Sequence, residues 1–226
     1  MVPLMAAFHP RVENLPAEFA VFPLSGALLL PHGKLPLNIF EPRYLAMTED
    51  ALGAGRMFAM IQPDPSRPAG PTGPALYRIG CLGRLVAFNE TEDGRFLITL
   101  TGLARFAIAA ELEMQRGYRR VRADFSAYAG DLEHSTPPID VARDTILAAL
   151  HDYFTRAGID ANWDVIRRLP DAMLVDSLSM LCPFAPVEKQ ALLEAQDEAA
   201  RAVTLLALLR MGAAETDPND TKRSLS

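Results

Sequence analysis

The chain has 226 residues, half of them hydrophobic and 22% charged, with a net charge of −6 at pH 7. That length and apolar fraction exclude wholesale disorder and suffice for a buried core. The negative balance argues against DNA or an anionic membrane as partner, because both demand a basic surface.

In chain order, residues 1–18 mix prolines with small and polar side chains and read as a loosely attached N-terminal arm. Strand character begins at residues 19–24, where Pro23 marks an edge or a strand end. Residues 28–30 are apolar and stop at Pro31-His32-Gly33, a short buried turn or strand. Leu35, Leu37 and Ile39 then alternate as a strand does. Glu41-Pro42 changes the period, because proline is tolerated at the first helical position. The helix runs through Tyr44, Met47, Ala51 and Leu52 until Gly53 or Gly55 stops it. Residues 57–62 read as a strand. Residues 63–75 hold five prolines and two glycines, which predicts an extended, mobile loop.

Residues 76–101 read as β, with Gly80 and Gly83 marking a bend or bulge beside Cys81. Glu90-Thr91-Glu92-Asp93-Gly94 is a hairpin turn, and Phe96, Ile98 and Leu100 alternate on the returning strand. Gly102 interrupts before Phe106, Ile108, Ala110 and Leu112 resume the alternation, and residues 118–125 form a last strand. Several short strands with turn signals predict a small antiparallel barrel or sandwich over residues 19–134. Beyond the Ser135-Thr136-Pro137-Pro138 linker the period becomes helical. Ala142, Ile146, Leu150, Tyr153 and Ala157 recur on one face up to Gly158. Further helices are predicted at residues 163–169, 171–182 and 186–196, and a last one, capped by Asp197, reaches Arg210. Residues 135–212 therefore read as a helical subdomain and 213–226 as a disordered polar tail.

Signs of catalysis or metal binding are few. The stretch from Gly26 to Lys34 superficially resembles a phosphate loop, but its glycine spacing is wrong and Leu35 stands where a metal-binding Ser or Thr belongs. His9, His32, His134 and His151 lack the spacing of metal pairs, and no Gly-x-Ser-x-Gly elbow is present. Neither a catalytic residue, a metal site nor a cofactor site is predicted. Cys81 and Cys182 form no CxxC pair and read as small core residues of a reducing, cytoplasmic compartment. No window is apolar for long enough to span a bilayer. Arg116, Tyr118, Arg119, Arg120 and Arg122 form the one basic cluster, which suits either a charge-defended edge strand or a contact with nucleic acid or an acidic peptide. Glu41, Arg43 and Arg105 sit in or beside apolar sequence. A charge there is costly unless paired, so Arg43 or Arg105 is either a structural bridge or a fork presented to a bound chain.

Taken together, several motifs resemble one family. Phe22-Pro23-Leu24, then Leu35-Pro36-Leu37 and Ile39-Phe40-Glu41-Pro42-Arg43-Tyr44, are similar to the start of the Lon protease N-terminal domain. Ile79-Gly80-Cys81-Leu82-Gly83, the Asp93-Gly94-Arg95-Phe96 hairpin, Gly102 with Arg105-Phe106, and the helices from Pro186 to Leu209 resemble its later segments. The resemblance implies an α+β fold, a PUA-like antiparallel pseudo-barrel followed by a C-terminal α-helical bundle. It implies a stand-alone, non-catalytic module, since nothing in the chain resembles the ATPase or Ser–Lys protease of full-length Lon. The implied partners are unfolded or extended polypeptides, with a separate protease as a candidate companion. Arg43, Tyr44, Met57, Met60, Arg105 and Phe106 are the candidate peptide-binding residues, in a groove between barrel and helices. The alternative is RNA or small-ligand binding through the barrel. Two departures from the family pattern stand out: the proline-rich insert after Gln62, and Ala185 where a better helix cap would stand.

Overall fold

A computed structural model describes residues 11–132 and 141–214. Most of the predicted arm (1–10), the 135–138 linker with His134, and the tail from 215 onward lie outside the described residues. The chain divides into two compact units. The first takes residues 1–135 together with 180–194; the second takes 136–179 and 195–226.

The first unit is a sheet closed on itself. Its strands are β1 (Glu18–Pro23), β2 (Lys34–Ile39), β3 (Met57–Ile61), β4 (Ile79–Glu90), β5 (Phe96–Gln115) and β6 (Tyr118–Asp124). Their order is β2-β5-β4-β3-β1-β6, and a β5–β6 pairing closes β1, β3, β4, β5 and β6 into a ring. The sheet is mixed, which corrects the all-antiparallel expectation: β1 runs parallel to β3, with Val21 opposite Ala59. The chain between them is long enough for the crossover that parallel pairing needs, because it contains β2 and helix α1 (Pro42–Gly53). β6 lies between β1 and β5, so the basic cluster is not on an edge strand. Among the described residues β2 pairs with β5 alone, and Pro36, which has no N–H to give, sits where such a gap is tolerated.

The ring encloses Phe19, Val21, Leu82, Phe106, Val121 and Phe125, with the rings of Phe19 and Phe106 edge to face at 5.0 Å. Val12 and Leu15, from the predicted arm, pack against this core. Residues 28–30 are fully buried without forming a strand of the sheet. Their segment is tied to β5 at Gly102, whose carbonyl accepts from His32 N at 2.9 Å and whose N–H donates to Gly33 O at 2.9 Å. Gly102 does not end the strand: β5 runs through it, with a bulge at Leu103. A Cβ there would collide with the carbonyl of Leu30, so only glycine admits this approach.

The proline-rich loop follows a defined course, contrary to the mobile stretch expected of it. Asp64 N donates to Ala75 O at 2.8 Å, and Gly70 and Gly73 bond each other. The Arg67 guanidinium reaches both Asp64 and Leu76 O. Arg119 donates to Pro74 O at 2.6 Å. Prolines leave few donors to satisfy, and the N–H groups of Asp64, Ser66, Arg67, Gly70 and Gly73 are bonded within the loop.

Helix α5 (Pro186–Glu194) belongs to this first unit and is bonded into it. Gln190 Nε2 donates to Ile79 O at 3.1 Å, and Gln62 Nε2 donates to Pro186 O at 3.0 Å. Lys189 is buried, with Nζ donating to Gly26 O at 2.8 Å and Met180 O at 3.1 Å. Burial lowers the pKa of this ammonium and pushes the nearby Cys182 thiol up to about 12. Ala185 supplies no side-chain cap, but Glu188 Oε2 accepts from its N–H at 2.7 Å, one half of a capping box.

The second unit contains α2 (Arg143–Ala157), α3 (Trp163–Arg168), most of α4 (Asp171–Leu181) and α6 (Glu198–Ala214). Ile146, Leu150 and Phe154 of α2 and Leu205 and Leu209 of α6 are buried. Gly158, in the left-handed conformation at φ 64°, ends α2. Asn162 caps α3 by accepting from Val165 N at 3.2 Å, and Asp197 caps α6 by accepting from Ala200 N at 2.8 Å.

Candidate functional site

The six candidate residues fall in three places in the first unit. Arg43, in the first turn of α1, is half-exposed, holds the Glu41 carboxylate at 2.8 Å and lies 4.6 Å over the Tyr44 ring. That ring is buried against Phe22 at 4.2 Å, and burial raises the pKa of its hydroxyl. Phe106 and Met60 are core residues. Arg105 is buried too. Its Nε and Nη2 hold the two oxygens of Asp131 at 2.9 and 2.6 Å, and Nη1 donates to Leu193 O at 3.2 Å. Its guanidinium also lies 4.4 Å from the Tyr128 ring. Burial works against this charge, but the hydrogen bonds and charge of Asp131 more than offset it, so its pKa rises. Met57 lines a pocket.

That pocket, of about 170 Å³, lies between α1 and strands β1 and β6. Met47 and Ala51 come from the inward stripe of α1, Phe19 from β1 and Tyr118 from the start of β6, and all four are buried. Met57, half-buried, and Ala54, exposed, stand beside this apolar floor. Met47, Asp50, Ala51 and Ala54 follow the i, i+3, i+4, i+7 rule of one helical face, and the small alanines leave the space.

Charge surrounds the floor. Tyr118 Oη donates to Asp50 Oδ2 at 2.7 Å, and Arg116 Nη1 donates to Asp50 Oδ1 at 2.7 Å. The hydrogen bond from Tyr118 comes first in holding the Asp50 carboxyl below its ordinary range. Burial and the same carboxylate push the Tyr118 hydroxyl up to about 12. Arg116 also binds Glu49 at 2.7 Å; Arg119 binds Glu111 at 2.6 Å. Glu18 stands 2.8 Å from Arg122 and 3.7 Å from Arg120. Every arginine of the basic cluster thus faces a carboxylate of this chain, and the cluster is not an open cationic surface. Sequence reasoning singled out the arginines and Met57 but missed Asp50, Met47 and Ala54, whose signal was the helical stripe. Among the described residues, no group of three or more His, Cys, Asp or Glu side chains is placed to hold a metal ion. No helix among them is long and apolar enough to cross a membrane.

The chain is similar to curated Lon proteases. Lon protease 2 of Sorangium cellulosum is 26% identical over 223 residues, covering 88% of this chain and 25% of that protein. Lon protease 4 of the same organism is 30% identical over 120 residues, covering 53% of this chain and 15% of that protein. The chain therefore spans a quarter or less of the length of these relatives. The fold is shared with the crystal structure of a Lon N-terminal domain protein from Xanthomonas campestris, at a TM-score of 0.56 and 22% identity, over 85% of this chain and 98% of that one. It is shared equally with the N-terminal domain of Mycobacterium avium complex Lon protease, at a TM-score of 0.55 and 15% identity, over 85% of this chain and 97% of that one. Residues 18–211 match the family model described as the ATP-dependent protease La (LON) substrate-binding domain, and the chain belongs to that family.

Proposed function

We propose that this domain binds segments of unfolded or extended polypeptide without transforming them, seating one apolar side chain between α1 and the β1–β6 pair of the ring. The observation that carries the reading is the pocket's construction, an apolar floor of Phe19, Met47 and Ala51 beside Met57 and within a rim of charge. At about 170 Å³ it is smaller than the roughly 300–1,000 Å³ of sites that enclose whole small molecules. It is close to the roughly 150 Å³ cavity that holds a benzene ring, a size suited to one leucine, methionine or phenylalanine. Met57 supplies an adaptable wall. The named relatives are proteases and the family is described as substrate-binding, so the polypeptides in question are those a protease would receive. We take the closed ring as PUA-like. RNA binding, which that likeness suggests, is disfavoured by the acid-paired arginines of β6.

The test is binding of a labelled, permanently unfolded polypeptide, read by fluorescence anisotropy, together with a peptide array. Ala54→Phe should fill the pocket mouth and weaken binding about tenfold, the size of a modest hot spot, while thermal unfolding stays unchanged. Equal binding by Ala54→Phe, or an array with no preference for apolar extended sequences, would overturn the reading. So would casein cleavage or ATP hydrolysis by the purified chain. Binding of single-stranded RNA that falls steeply with salt would favour the alternative.

A further inference from the structure

We infer that the second unit carries its own contact for polypeptide, a recess around Trp163 that takes the cationic side chain of a lysine or arginine. The recess, of about 400 Å³, is built by the last turns of α2, the connection from Gly158 to Ala161, and the first residue of α3. Its wall is a cluster of aromatic rings. The Trp163 ring lies 6.0 Å from the buried ring of Phe154 and 5.3 Å from His151. The connection is held: Ile159 N donates to Phe154 O at 2.9 Å, around the left-handed Gly158.

The electrostatics of this recess select a cation. Neither lysine nor arginine lines it, and Asp160 supplies its carboxylate. It opens at the C-terminal end of α2, the negative end of the helix dipole. Indole offers the most favourable aromatic face for an ammonium or guanidinium group. A lysine or arginine stem is long enough to pack along Trp163 and Ile159 while its head reaches Asp160 and water, which is how such side chains bury their methylenes. A neutral apolar side chain would gain the first contact and not the second; an acidic one would be repelled. The polypeptide carrier rests on the function proposed above, whereas the cation preference stands on the recess alone.

Trp163 is the single tryptophan of the chain, so its fluorescence reports on the recess directly. The probes are Nα-acetyl-lysine amide and Nα-acetyl-arginine amide, with Nα-acetyl-norleucine amide as the neutral counterpart. Both cationic probes should give a saturable change. The norleucine compound, and the cationic probes on Asp160→Asn, should bind about fivefold more weakly or worse. Asp160 is exposed, so Asp160→Asn should keep its thermal unfolding, and circular dichroism checks this. No saturable change, or equal binding of norleucine, overturns the proposal. Repeating the titration in Ala54→Phe, with an extended lysine-containing peptide and its norleucine analogue, separates the two sites. A preserved lysine preference there supports a second polypeptide contact whether or not the first pocket binds. Cationic amides that bind while the peptide does not would overturn the polypeptide carrier.

Discussion

Arg105 and Asp131 form a buried ion pair. Their side chains are 4% and 8% exposed, and the carboxylate takes hydrogen bonds from Nε, Nη2 and the Arg105 backbone N–H. Removing one partner of such a pair leaves the other charge buried. Asp131→Ala should therefore cost about 3–5 kcal/mol of stability, measured by urea unfolding, with Asp131→Asn costing less because it keeps an acceptor. Glu41→Ala removes the partner of a half-exposed arginine and should change stability by less than about 1 kcal/mol. A loss below 1 kcal/mol for Asp131→Ala would mean the pair is not buried in solution. The sequence exposes one half of this arrangement. A charge between Ala104 and Phe106 in a strand pattern demands a partner, so a structural bridge was a readable option. The partner was not readable, because Asp131 lies 26 residues away beyond β6, where the pattern has already left the sheet.

At the scale of elements, local periodicity located strands and helices because alternation and the 3.6 period are written in adjacent residues. Leu35, Leu37 and Ile39 lie in β2, and Pro42 opens α1. What periodicity does not encode is which strand lies beside which. The parallel β1–β3 pair and the two-sided pairing of β6 are set by long-range packing, so an edge position stayed one of two open readings of the β6 arginines. The candidate pocket was half visible for the same reason. The stripe from Met47 to Ala54 is local, but its facing wall at Phe19 and Tyr118 comes from distant strands. At Gly102 the break in the alternation was a readable signal, and its cause is the segment crossing it. Because a Cβ at Gly102 would strike the Leu30 carbonyl, Gly102→Ala must displace the segment containing Leu28, Leu29 and Leu30, all fully buried. We expect a loss of about 1–3 kcal/mol from overpacking, or more where the bonds to His32 and Gly33 also break. Faster hydrogen exchange at the amides of His32, Gly33 and Gly102 would identify the displaced segment. Unchanged protection there would show that the added methyl displaces no segment.

At the scale of the molecule, the first unit is assembled from two stretches of chain, since residues 180–194 return to it after the helices of the second. The period becomes helical beyond the 135–138 linker and suggested a clean division at 134/135, yet α5 holds groups the sheet cannot satisfy alone. Arg105 loses the Leu193 carbonyl without it, Gln62 loses Pro186 and Gln190, and Gly26 O loses Lys189. Gln62 is 1% exposed, and a buried polar group left without a partner costs about 1–3 kcal/mol. Several such losses are comparable to the roughly 5–15 kcal/mol that holds a whole domain together. A polypeptide of residues 11–132 should therefore show either no cooperative thermal transition or one lowered well below that of the full chain. A synthetic peptide of residues 180–194 added to it should raise the transition with increasing concentration, as any ligand of the folded state does. The same peptide carrying Lys189→Met and Gln190→Ala should raise it less, because the bonds to Gly26 and Ile79 would be missing. A transition in the 11–132 polypeptide at the temperature of the full chain would instead mean that the ring of strands is self-sufficient and that α5 is only attached to it.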